Sequence, residues 1–65
     1  MKYKRIHLES GNSFIEDIEL NYEFQQSYGH IQNPAKLEQC ARILVNDWNR
    51  RAFVQGKQQY VYIYL

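Results

Sequence analysis

The stretch Asn33 to Phe53, NPAKLEQCARILVNDWNRRAF, decides how this 65-residue chain can fold. Leu37, Cys40, Ala41, Leu44, Val45, Trp48 and Ala52 recur at spacings of three and four, which on a 3.6-residue helix makes one apolar face. Lys36, Gln39, Arg42, Asn46, Asn49 and Arg50 fall on the other side. Asn33 followed by Pro34 predicts an N-cap with proline in the first turn, where its missing N–H forfeits no helical bond. Gly56 is the expected stop. Everything else must pack on this helix.

Outward from it, Gln58 to Leu65 predicts a last strand, with Val61, Ile63 and Leu65 on one face and Tyr60, Tyr62 and Tyr64 on the other. Lys2 to Glu9 predicts a first strand that points Ile6 and Leu8 one way and Arg5, His7 and Glu9 the other. Ser10-Gly11-Asn12-Ser13 is turn chemistry, since glycine and asparagine tolerate positive φ and serine hydroxyls bond nearby backbone. Phe14 to Phe24 then alternates Ile18, Leu20, Tyr22 and Phe24 with Asp17, Glu19, Asn21 and Glu23, the period of a strand. Setting Ile6 and Leu8 beside Ile18 and Leu20 brings Arg5 and His7 near Asp17, Glu19 or Asn21, so apolar and charge pairing favour one hairpin, with Arg5 and Glu19 on its solvent face. Gln25 to Gln32 has no sustained period and predicts a connection.

The resulting expectation is an α+β fold of order ββαβ: a mainly antiparallel three-stranded sheet with one helix on one face, forming a single domain over residues 1–65. A short return loop makes the last strand parallel to the second and antiparallel to the first. That favours spatial order 2-1-3, with 1-2-3 as the alternative.

Composition narrows the function classes. Hydrophobic residues are 45% and charged residues 23%, a globular balance, but a chain this short buries only about 60% of its unfolded surface. Six tyrosines must supply much of the burial, through rings with a polar tip. Eight basic residues against seven acidic ones leave a charge of +1, without the basic excess of a strong nonspecific nucleic-acid binder. The single cysteine cannot close an internal disulfide. Met1 to Arg5 opens no signal-peptide pattern and no apolar run approaches the roughly 20 residues of a membrane span, which sets a cytoplasmic location as the expectation.

Catalytic, cofactor and metal motifs are not found. Glu16, Asp17, Glu19 and Glu23 fall mainly on a solvated strand face, whereas hard cations want oxygens converging from a loop. His7 and His30 lack metal-ligand spacing, Cys40 lies on the apolar helix face, and Gly11, Gly29 and Gly56 stand too far apart to cradle a phosphate. Two surfaces remain. If the helix covers the Val61, Ile63 and Leu65 side, then Tyr60, Tyr62 and Tyr64 stay open with Tyr3 beside them, and the uncharged last strand invites pairing with a second copy. The polar helix face carries Arg42, Asn46, Asn49 and Arg50 with Phe53, a mixture with interface chemistry.

The functional expectation is therefore a small non-enzymatic protein-binding protein with no cofactor. It would be an inhibitor or regulator of the kind phages and mobile elements encode, acting by occlusion as a homodimer. The alternative is a nucleic-acid-binding module that stacks bases on sheet tyrosines and contacts phosphates through Lys2, Lys4, Arg5, Arg42, Arg50 and Arg51.

Overall fold

The computed structural model describes residues 1–65 as β1 (Lys2–His7), β2 (Ser13–Asp17), a 3-10 turn (Ile18–Leu20), α1 (Tyr22–Tyr28), α2 (Pro34–Val54) and β3 (Tyr60–Tyr64). The α+β class and the strand order are as the sequence implies. The sheet runs β2-β1-β3, and β1 is antiparallel to both neighbours.

Helix α2 begins and ends by the expected devices. The Asn33 side chain accepts the N–H groups of Ala35 (2.9 Å) and Lys36 (3.2 Å), with Pro34 in the first turn. At the other end Gly56 takes φ +67°. The Gly56 N–H donates to the Phe53 carbonyl and the Lys57 N–H to the Ala52 carbonyl, the paired bonds of a Schellman stop. Replacing Asn33 by alanine orphans two N–H groups and is expected to cost about 1 kcal/mol. A urea midpoint equal to the parent's would show that the cap is dispensable.

The β1–β2 hairpin turns through Gly11 at φ +76°, where an L side chain would be strained, and His7 and Asn12 close it by backbone bonds. Its register differs from the expected one. Arg5 faces Phe14, Tyr3 faces Glu16 and Lys2 faces Asp17, so Arg5 pairs with Glu16 (3.2 Å) and not with Glu19.

The second strand is the main correction, for it ends at Asp17 and does not run to Phe24. Asp17 accepts the Glu19 N–H (3.0 Å) and starts the 3-10 turn, while Asn21 accepts the Phe24 N–H (3.0 Å) and caps α1. Short polar side chains that bond the backbone ahead compete with an extended ladder, and here they win twice. The alternation past Asp17 does not correspond to faces. Ile18 and Phe24 are fully buried, whereas Leu20 is 84% exposed and Tyr22 is also open. The segment read as a connection contains the second half of α1, and only residues 29–33 link the helices.

The second correction concerns which sheet face α2 covers. The core is Tyr3, Ile18, Phe24, Ala41, Leu44 and Val45, with Leu37, Cys40, Trp48, Tyr62 and Tyr64 packed against it. The covered side is thus the one bearing Tyr3, Tyr62 and Tyr64, and the Val61, Ile63 and Leu65 side faces outward. Trp48 sets its ring 5.0 Å from Tyr3 and 5.2 Å from Tyr62, both tilted. Large rings fill the gap between helix and sheet with more area than aliphatic chains of the same strand, and the Tyr3 hydroxyl reaches Glu16.

Candidate functional site

The tyrosines expected to meet a partner are spent on the fold. Tyr3 is only 4% exposed, and Tyr60, Tyr62 and Tyr64 are half-buried. The Arg42 guanidinium lies 4.5 Å over the Tyr64 ring, and Tyr60 and Phe14 flank the Arg5 guanidinium at 4.9 and 5.1 Å. The expectation of an open tyrosine face fails because the helix and the arginines occupy it.

The polar helix face divides. Asn46, Arg50 and Phe53 are exposed, as the sequence suggests. Arg42 also pairs with Glu38 (3.1 Å) while leaning on Tyr64, and Asn49 turns to the sheet. The Asn49 amide donates to the Tyr62 carbonyl (2.7 Å) and accepts the Tyr62 N–H (2.8 Å), as a neighbouring strand would. The Gln59 carbonyl accepts the Leu8 N–H and the Leu65 N–H donates to the Lys2 carbonyl, so by alternation the Tyr62 groups point away from β1. Asn49 therefore plugs the outer edge of β3 at its midpoint, where pairing with a second copy was expected.

Between the last turns of α2 and the hairpin lies an open groove of about 440 Å³, lined by Tyr3, Arg5, Glu16, Trp48, Arg51 and Lys57 among others. Its charges are largely satisfied internally. Glu16 takes Arg5 and accepts the Tyr3 hydroxyl (3.3 Å); Arg51 spans Glu23 (2.7 Å) and Asp47 (3.0 Å). The Trp48 indole donates to Glu23 (3.1 Å). The Arg50 hydrogen bond, helped by Arg51, holds the Asp47 carboxyl below its ordinary value. Burial, then the Glu16 charge, raises the Tyr3 phenol above 10.0.

That raised value predicts a pH dependence. Tyr3 loses its proton near 10 when unfolded and later when folded, so its contribution is complete below about pH 10 and is lost as pH rises through the folded value. Melts from about pH 8 to about pH 11 should lose stability more steeply for the parent than for Tyr3→Phe. Equal slopes would show that Tyr3 ionises as freely folded as unfolded.

The opposite sheet face is open. On it Lys4 lies between Ile15 and Ile63, Ile6 between Ser13 and Val61, and Lys2 beside Asp17, with Leu65 and Leu8 at the ends. Ile15 is 59% and Ile63 42% exposed, and Leu8 and Leu65 are similarly open. Past the β2 edge Leu20 continues the surface around a shallow depression of about 340 Å³ that Lys2, Ile15 and Asp17 also line. Together these side chains form a run of exposed aliphatic surface of the kind that marks an interaction site.

The sequence pattern hides this face because β3 is apolar on both sides and hydrophobicity alone favours its aliphatic side as the inward one. Lys2 and Lys4 were the available signal, since they share that side of β1 and no element covers them. Cys40 is half-buried, and no three His, Cys, Asp or Glu residues converge as a metal site. No helix is long and apolar enough to cross a membrane. No protein-family model, curated protein or solved structure matches the chain.

Proposed function

We propose that this chain is a small non-enzymatic binding protein that docks its open aliphatic sheet face on an apolar, carboxylate-bearing surface of another protein, occluding that surface as an inhibitor or regulator does. The observation that carries the proposal is the uncovered row Ile15, Lys4, Ile63 with Ile6, Val61, Leu8 and Leu65 around it.

Charge selects the partner. All four arginines are ion-paired, whereas Lys2 and Lys4 have no carboxylate within salt-bridge distance. A second copy stacked face to face with its strands parallel would bring Lys2 and Lys4 against their own duplicates. Asp17, opposite Lys2 in the sheet, already caps the 3-10 turn and sits 3.7 Å from the Met1 amine. Like charges pressed together at an interface cost several kcal/mol. Nucleic acid is disfavoured as well, because the tyrosines that would stack bases are covered and the arginines are neutralised.

The test places a photo-crosslinker at Ile63 and, as a control, at Asn46. From Ile63 the expected product is one partner, crosslinked at an apolar surface beside Asp or Glu. It should be lost in Lys4→Glu and retained in Asn46→Glu. A concentration-dependent dimer in sedimentation equilibrium that Ile63→Asp dissociates would assign the face to self-association, and sedimentation with anionic phospholipid vesicles would assign it to lipid. Either result overturns the proposal.

A further inference from the structure

We infer that the occupant of the open face is an amphipathic helix of the partner, carrying two carboxylates four residues apart that sit against Lys2 and Lys4; this rests on the docking reading above. The width of the face favours a helix. Three strands are spaced about 4.8 Å apart, so the face with its side chains is about 10–14 Å across. One helix is about 10–12 Å in diameter. A single extended segment, about 5 Å wide, would leave most of that width bare.

The position of the lysines favours it too. Lys2 and Lys4 lie on the central strand, so a flat partner sheet stacked about 10 Å away would close over the Lys4 ammonium. A helix is convex. Seated along Leu65, Ile63 and Val61 with Ile6 and Leu8, it leaves the lysine heads at its flank, their methylene stems lying on the apolar surface.

Spacing then fixes the motif. Lys2 and Lys4 are two residues apart on a strand, about 7 Å. Residues i and i+4 of a helix are about 6 Å apart along the axis and on one face. Two carboxylates at that interval, beside a Leu or Ile stripe, match both lysines at once. The six or seven residue rows from Lys2 to Leu8 span about 20 Å, the length of a helix of about 13 residues. Helix α2 of a second copy does not fit. Its exposed Ile43, Phe53 and Val54 are interrupted by Arg50, and its carboxylates Glu38 and Asp47 are already paired.

Selection from two displayed libraries tests this, each randomising a segment of about 14 residues, one held in a helical scaffold and one in an extended scaffold. The expected winners come from the helical library, carry Asp or Glu at i and i+4 beside an aliphatic stripe, and do not bind Ile63→Asp. Exchanging those acids for lysine in the peptide should weaken binding on the order of tenfold, and Lys4→Glu should restore the exchanged peptide. The peptide exchange leaves the protein's own folding untouched. Winners from the extended library alone, or helical winners without acid enrichment, overturn the helix inference while leaving the docking face in place. No winner from either library that depends on Ile63 overturns the docking face itself.

Discussion

Replacing Phe24 by alanine is expected to cost about 3–5 kcal/mol, whereas Leu20→Ala, four residues away, should cost less than about 0.5 kcal/mol. A chain of this length holds roughly 3–10 kcal/mol of stability in all, so the first variant should be largely unfolded at moderate temperature. Phe24 is 2% exposed, one of the two largest fully buried side chains, with its ring 5.6 Å from that of Tyr28. It joins α1 to the core formed by α2 and Tyr3. Leu20 lies in the 3-10 turn and points away from that core. The pair decides between two structures, because a strand running through Phe24 would place Leu20 and Phe24 on one buried face and make both truncations costly. Urea midpoints for the two variants measure the difference, and equal losses would restore the strand.

That comparison also marks where the sequence is legible. Helix α2 is written redundantly: Asn33 and Pro34 start it, Gly56 stops it, and Ala41, Leu44 and Val45 repeat at helical spacing, so local and global preferences agree. Gly11 gives the hairpin turn for the same reason. Residues 18–24 mislead because a strict two-residue alternation coincides with a chain that leaves the sheet at Asp17. Only Ile18 and Phe24, six residues apart, are buried, and the deciding groups are the Asp17 and Asn21 side chains, whose capping preference is visible but outweighed by seven alternating positions. The site is hidden for a different cause. Strand order fixes neighbours, but which face of β3 turns inward depends on Trp48 meeting Tyr3 and Tyr62 across the sheet, a fit between distant rings that no single stretch reports. Since the aliphatic face could equally have been core by composition, its exposure is a property of the assembled fold.

Replacing Asn49 by alanine is expected to cost about 2–3 kcal/mol and to make the chain self-associate through the β3 edge. The energetic part follows from the two bonds at 2.7 and 2.8 Å that satisfy the Tyr62 carbonyl and N–H. Alanine deletes both partners at once and leaves a donor and an acceptor at a half-buried position, where water recovers only part of the loss. The associative part follows from topology. Strand β3 is the edge of the sheet, it carries no charge from Tyr60 to Tyr64, and its residues are β-branched or aromatic throughout, the composition that pairs with another strand when its edge is free. Asn49 occupies the centre of that edge, so an incoming strand must displace it before a ladder can form. Asn49→Asp separates the two effects. A carboxylate still accepts the Tyr62 N–H but repels the Tyr62 carbonyl, and its charge on the edge opposes pairing. It should therefore destabilise without inducing association. Amide exchange at Tyr62 and sedimentation of the three proteins read both effects. A Tyr62 amide in Asn49→Ala as protected as in the parent, with a urea midpoint unchanged, would show that the edge is closed by something other than this side chain. Loss of protection with a monomer persisting at high concentration would confine Asn49 to stability, and the bareness of β3 would then be harmless for another cause, the bulk of α2 lying alongside it.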